Sequence, residues 1–270
     1  MRLGSGSCLA SALALAAFLA VPATLHAADL SGSSVKDGYA PASAMPSIAQ
    51  PCYMRGDIGY GWQRSPTADY AGNGGGARTS LDHTSMDGGE VIEIGAGCGS
   101  GSRGLRGDIT IGFRPGREMK GNAQIASLTP NEQPMMARID TYTAMVNGYY
   151  DFGSYRGLVP YVGAGLGLAF NDMEYVRLGQ AGSIDPQSGA TKVSYAWSLM
   201  AGVAYQLTSR AILDVGYRYI DTGWAQSGEV QSVAGSPRLY AHDLGAHEVK
   251  VGVRYHFGAA ADCCAYAPMK

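Results

Sequence analysis

Apolar and polar residues alternate along most of the chain, in a series of segments that are each about ten residues long. In the first segment the apolar residues Met54 and Ile58 lie at even-numbered positions, whereas the charged residues Arg55 and Asp57 lie at odd-numbered positions. Because successive side chains of a β-strand point to opposite faces, each segment predicts a strand with one apolar face and one polar or glycine-rich face. The segments are 52–62, 90–98, 105–114, 141–152, 159–170, 194–207, 211–221 and 247–257.

The connections between these segments indicate how the strands are arranged. A strand of about 9–11 residues can cross a bilayer at a tilt, and short turns on one side with long loops on the other are typical of outer-membrane barrels. The pattern therefore predicts an all-β fold, a transmembrane antiparallel up-and-down β-barrel of about eight strands. The connections 99–104, 153–157 and 208–210 are short, and 63–88, 115–136, 173–192 and 227–246 are long.

The charged residues of the strands favour a membrane barrel over a soluble one such as a lipocalin. A soluble barrel needs an apolar interior. The aromatic and aliphatic face of these strands would then have to fill the narrow interior of an eight-stranded barrel. Tyrosines near the strand ends also match the aromatic girdles of membrane barrels. One strand face carries Arg55, Asp57, Glu93, Arg106, Asp108, Asp214, Arg218, Lys250 and Arg254.

We expect this charged face to line the barrel interior. Eight strands enclose a space only just wide enough for side chains, and buried ions must be paired. The sequence therefore predicts an interior charge network that plugs the barrel, with Asp57 among Arg55, Arg106 and Arg254. In the hairpin around 153–157 we expect Tyr149 opposite Tyr161.

The N-terminal region predicts export. An apolar run at 9–21 follows a basic residue and precedes small residues, which is typical of a signal peptide and too short for a membrane-spanning helix. We assign 1–27 to the signal peptide and the Ser-, Ala- and Pro-rich segment 28–51 to a periplasmic linker. The barrel follows at 52–257, and 258–270 forms a C-terminal tail.

Composition excludes several classes of protein. Of the 270 residues, 39 are Gly and 17 are Tyr, and only 16% are charged, against about 25% in average soluble proteins. No later stretch has the 18 or so consecutive apolar residues of a helical membrane span. The net charge of −2 with both signs mixed argues against a nucleic-acid partner.

Three of the segments resemble a known family. YMRGDIGY at 53–60, VPYVGAGLG at 159–167 and HEVKVGVRYHF at 247–257 look like the small porin-family β-barrel proteins of Gram-negative outer membranes. That group is similar in plan to the OmpA membrane domain and to OmpX. The resemblance covers 52–257 and implies a location in the cell outer membrane, with lipid, lipopolysaccharide and the barrel-insertion machinery as partners.

The resemblance also assigns a role to the last strand. In that family a final strand that ends in an aromatic residue is the insertion signal, which implies this role for Tyr255 and Phe257. The tail 258–270 is a departure, because the family signal usually ends the chain.

Candidate catalytic residues are few. Some eight-stranded barrels cleave or transfer lipid A acyl chains with Ser and His, and here His83 and Ser85 lie in a long loop with Asp82 and Asp87, a set that could form a triad. The G-x-G-x-x-G match at 99–104 is a hairpin turn with no following helix, and no Cys/His spacing suggests zinc. We therefore expect no catalytic, cofactor or metal site.

Three functions remain as hypotheses. We favour a structural, envelope-integrity role or a surface interaction through loops 63–88 and 227–246, with an unidentified ligand. The alternatives are a narrow porin-like channel for small solutes and a lipid A-modifying acyl hydrolase. The sequence does not give the oligomeric state.

The cysteines predict a disulfide. The periplasm is oxidising, and the exported chain keeps four cysteines, which allow three connectivities. Cys52 and Cys98 lie equally far from the midpoint of the first hairpin, and both occupy outward-facing positions of their strands. They should therefore face each other across adjacent strands. A Cys52–Cys98 bridge is favoured, and pairing of either with the tail, or a Cys263–Cys264 bridge, is the alternative.

Overall fold

A computed structural model describes the chain over 52–71, 78–99, 103–124, 132–178, 183–185, 188–230 and 238–257. The predicted signal peptide, linker and tail lie outside the described residues, which contain no helix long and apolar enough to cross a bilayer. The described strands are β1 (Cys52–Gln63), β2 (Thr67–Ala71), β3 (Thr79–Ser80), β4 (Asp82–Met86), β5 (Gly89–Gly99), β6 (Gly104–Gln124), β7 (Glu132–Asp151), β8 (Leu158–Leu178), β9 (Ser183–Asp185), β10 (Ala190–Gln206), β11 (Ala211–Asp221), β12 (Ala225–Gln226), β13 (Arg238–His242) and β14 (Gly245–Phe257).

Eight of these strands close into an antiparallel ring in the order β1, β5, β6, β7, β8, β10, β11, β14, which confirms the predicted barrel. Following paired residues around the ring from Cys52 leads back to β1 at Trp62, a displacement of ten residues. A stagger of this kind tilts the strands across the barrel axis. The closed ring satisfies the backbone hydrogen bonds that lipid cannot.

The outer surface of the ring is apolar. Ile58, Leu105 and Leu166, for example, are 68%, 80% and 71% exposed. Such exposure of large apolar side chains around a whole ring is what a lipid-facing surface requires.

Strands β6, β7 and β8 are 21, 20 and 21 residues long, so most of 115–136 is strand and the prediction of a loop there was wrong. Pro115 and Gly116 suggest a turn in sequence but form a bulge, with a register shift between Arg114 and Arg117. Gly116 has φ of 57°, a left-handed value that glycine adopts without Cβ strain. The bulge lets the alternation continue beyond the membrane.

The long connections build a second sheet, ordered β12-β13-β2-β3. We call this sheet, together with the ends of β6, β7 and β8 at 115–124, 132–140 and 171–178, the extracellular layer. The two parts share a buried apolar cluster, so the layer has a core of its own. The cluster consists of Ala68, Leu81, Met119, Ala123, Met135, Ala137, Ile139, Met173, Val176, Ala225, Val230, Leu239, Ala241 and Leu244.

The β7–β8 hairpin is tighter than expected. Tyr155 and Leu158 exchange backbone hydrogen bonds of 2.8 and 3.0 Å, and Arg156 and Gly157 between them have φ of 53° and 85°, as in a type I′ turn. In the register of the two strands Tyr149 pairs with Gly163, so the predicted pairing with Tyr161 was wrong by two residues. The inward parity is unchanged, so large side chains still face glycines.

A disulfide joins the first two barrel strands. Cys52 and Cys98 are directly opposed in the β1–β5 register and are bonded to each other, so this predicted pairing is confirmed. Cys263 and Cys264 lie outside the described residues.

Removing this disulfide should destabilise the barrel. The bridge spans a sequence separation of 46 residues, and losing such a constraint on the unfolded chain typically costs about 2–4 kcal/mol. We expect this loss in a Cys52→Ser/Cys98→Ser variant, measured by urea unfolding in lipid vesicles. A Cys263→Ser/Cys264→Ser variant is the matched control, and an equal loss in both would contradict the assignment.

Candidate functional site

The nine charged residues assigned to the interior all lie inside the barrel, and none is more than 7% exposed. They come from β1, β5, β6, β11 and β14, so the charges occupy one side of the lumen. Each of them forms an ion pair with another buried charge.

The group nearest the periplasmic end is centred on Asp108. Its Oδ2 lies 2.9 Å from Arg55 Nη1 and 4.0 Å from Arg106 Nη1, and its Oδ1 accepts a 2.8 Å hydrogen bond from the Asn147 amide. Arg55 also donates to Asp57 at 2.8 and 2.9 Å. Arg55 thus bridges two carboxylates, and within the described part of the chain it is the one ion-pair partner of Asp57.

A second group lies closer to the extracellular end. Glu93 accepts hydrogen bonds of 2.7 Å from both Arg218 and Lys250. Glu248 accepts from Arg218 at 2.6 Å and from Arg114 at 2.7 Å. Arg218 therefore links the two carboxylates, and all five side chains are buried.

The predicted surroundings of Asp57 were wrong in part. Arg254 pairs with Asp214 across the β11–β14 pair, and Arg106 pairs chiefly with Asp151 at 3.2 Å. Only Arg55, from the expected set, contacts Asp57.

Three members of the interior groups were missed by the sequence analysis: Arg114, Asp151 and Glu248. Each has the inward parity of its strand but lies at the end of a predicted segment. Counting the charged residues of the inward face up to both ends of each segment would have found them.

The opposite wall of the lumen is aromatic and apolar. Tyr149 and Tyr161 lie there, and the Arg106 guanidinium is 3.9 Å from the Tyr149 ring centroid and 5.0 Å from that of Tyr161. Glycines provide the remaining room: a Cβ at Gly165 would lie 2.2 Å from Asn147 Oδ1. Side chains thus fill the lumen at this level.

The extracellular layer is held over this plug by hydrogen bonds. The buried Asn171 amide donates to the carbonyl oxygens of Thr222 and Trp224 at 2.9 and 3.1 Å. Thr222 and Leu244 close the base of the last loop, with Thr222 N donating to Leu244 O at 3.1 Å. Leu244 also belongs to the apolar cluster, so these hydrogen bonds connect the cluster to the barrel strands.

A row of rings and cations lies along the second sheet, with Tyr240 and His242 on β13, Trp224 and Arg78 just before β12 and β3, and Lys192 on the neighbouring barrel strand β10. Trp224 and His242 have centroids 6.1 Å apart and planes at 24°, and Tyr240 lies 6.4 Å from His242 at 6°. Lys192 Nζ is 4.2 Å from the Trp224 centroid, and the Arg78 guanidinium is 4.5 Å from that of Tyr240. Aromatic residues and arginine are enriched in protein-binding surfaces.

The loop residues considered for catalysis do not form a triad. His83 and Ser85 are exposed on β4, and in the described part of the chain no hydrogen bond joins them to each other or to a carboxylate. Asp87 accepts a 2.9 Å hydrogen bond from Lys120, which raises the pKa of the Lys120 ammonium. Among the described residues no three metal-ligating side chains converge.

Tyr255 and Phe257, assigned to the insertion signal, point outward from β14 and are 51% and 47% exposed. Phe257 is opposite Cys52 where β14 closes the ring on β1. Their role in insertion stays a prediction.

Comparison with known proteins shows what the chain is similar to. Residues 11–257 match the outer membrane protein beta-barrel domain family. The chain is 27% identical over 156 residues to the outer membrane protein PagN of Salmonella typhimurium, a match that covers 57% of this chain and 65% of PagN. It is 28% identical over 159 residues to a candidate adhesin of Rickettsia typhi, covering 56% of this chain and 68% of that protein.

A solved structure shows a similar fold. The outer membrane protein OprG from Pseudomonas aeruginosa superposes with a TM-score of 0.52 at 14% identity, covering 78% of this chain and 97% of OprG.

Proposed function

This chain belongs to the outer membrane protein beta-barrel domain family and resides in the outer membrane, and we propose that it acts there as a surface-interaction protein. The barrel anchors the extracellular layer, and the ring-and-cation row of Trp224, His242, Tyr240, Lys192 and Arg78 forms the binding face. The interior charge groups plug the barrel and hold it rigid.

The extracellular layer is the observation that carries this proposal. A strand needs only about 9–11 residues to cross the outer membrane, yet β6, β7 and β8 are about twice that length. Their outer halves bury an apolar cluster with the second sheet. A membrane anchor alone does not need a folded layer of this kind outside the bilayer.

Two further observations agree with it. The side chains of the ring-and-cation row are partly or fully exposed, so a partner can reach them. One relative of the chain is a candidate adhesin. The paired charges inside the lumen argue against a diffusion channel, because a permeating ion would have to compete with ion pairs of 2.6–2.9 Å.

Adherence measurements test the proposal. Cells that display the protein should bind to immobilised glycans, matrix proteins or one another, and Trp224→Ala/Tyr240→Ala should weaken this binding by about tenfold or more if these rings are hot spots. Tyr195→Ala is the matched control, because Tyr195 is an exposed aromatic residue of the lipid-facing surface (87%).

Two parallel assays distinguish the alternatives. Purified protein should neither accelerate liposome swelling nor release acyl chains from lipid A. Solute entry without adherence would support the channel, and deacylation would support the hydrolase, and either result would overturn the proposal.

A further inference from the structure

A groove interrupts the lipid-facing surface of β6, β7 and β8 near their periplasmic ends. Its floor consists of Gly107 and Gly148, which are directly opposed in register. On the neighbouring strands Gly107 pairs with Cys98, and Gly148 pairs with Ala164. The volume of about 710 Å³ lies in the range of small-molecule sites, about 300–1,000 Å³. The periplasmic wall is formed by Leu105, Tyr150 and Val162.

The packing of the barrel does not require these two glycines. A Cβ added at Gly148 would meet nothing within 4 Å, and at Gly107 the nearest atom would be Asn147 O at 3.5 Å. Gly97, which faces the lumen, differs, because its Cβ would lie 2.2 Å from Gly107 O. Glycine weakens a strand interior and often marks the close approach of a ligand. The space above Gly107 and Gly148 is therefore available to something outside the protein.

The turns beneath the groove are cationic. Arg103 precedes β6 and Arg156 lies at the tip of the β7–β8 turn, and both are exposed. The Arg103 side chain extends alongside Gly153 of that turn, so both cations lie on the same side of the ring as the groove.

We propose that this groove binds one anionic phospholipid of the periplasmic leaflet. An acyl chain lies against the Gly107–Gly148 floor, and the phosphate of the headgroup is held by Arg103 and Arg156. The four residues from Gly107 to Arg103 span about 13 Å at 3.3 Å each. This length fits within one leaflet of the hydrocarbon core, about 15 Å.

Native mass spectrometry of the detergent-solubilised protein, titrated with phosphatidylglycerol, tests the acyl-chain part. Gly148→Leu should fill the groove and weaken lipid retention about fivefold, which corresponds to about 1 kcal/mol. Gly56→Leu is the matched control, because Gly56 also faces outward and its Cβ would meet nothing within 4 Å. Equal retention in the two variants would overturn the proposal.

The headgroup part is tested by comparing phosphatidylglycerol with phosphatidylcholine. Wild-type protein should prefer the anionic lipid, and Arg103→Gln/Arg156→Gln should remove that preference, whereas Arg210→Gln, in the third short turn, should keep it. Light scattering measures the oligomeric state and so tests whether a second copy of the protein, and not a lipid, occupies the groove. A dimer that Gly148→Leu dissociates would make the groove an interface between two copies, and overturn the proposal.

Discussion

Replacing Glu93 by alanine should destabilise the folded barrel by about 3–5 kcal/mol. The carboxylate of Glu93 is 1% exposed and accepts hydrogen bonds from Arg218 and Lys250 at 2.7 Å each. Its removal would leave Lys250 without its nearest anion and Arg218 with Glu248 alone. An uncompensated buried charge is the reason for the large expected loss.

Urea unfolding in lipid vesicles, followed by tryptophan fluorescence, measures this loss. Glu90→Ala is the matched control, because Glu90 is an exposed residue of the same strand. Asp57→Ala should cost less than Glu93→Ala, since its partner Arg55 keeps Asp108. A loss of only about 0–1 kcal/mol at Glu93 would be that of a solvated pair, and would favour the channel hypothesis.

Gly167→Val should destabilise the barrel by about 3 kcal/mol or more, at or above the upper range for overpacked positions. A Cβ at Gly167 would lie 2.0 Å from Ala144 O and 2.8 Å from the Cα of Met145. Because the nearest two atoms belong to the backbone of the neighbouring strand, rotation of a side chain cannot relieve the clash. The ladder between β7 and β8 would have to separate.

Heat modifiability on a detergent gel, together with the amount of folded protein in the outer membrane, gives the measurement for Gly167→Val. Gly56→Val is the control, since it adds the same β-branched side chain at an outward position with nothing within 4 Å. If both variants folded equally well, the lumen would be less tightly packed than the structure indicates.

The alternation of residue types was sufficient to predict the barrel because lipid imposes period two on each spanning strand. The same parity placed Arg55, Glu93 and Arg218 inside. The sequence pattern wrongly predicted the end of the strand at Pro115 and Gly116, because a bulge with these residues resembles a turn in sequence. Beyond that point the outward positions are polar, so the apolar signal of the lipid-facing surface is lost although the strand continues.

The sequence by itself determined the fold class, the inward and outward faces of the barrel strands and the opposition of Cys52 and Cys98. These properties depend on parity and on distance along one chain. Only the tertiary structure decided which charges pair, such as Glu93 with Arg218, 125 residues away. Such contacts depend on the stagger around the closed ring and on turn geometry, where a shift of two residues preserves parity and changes every partner.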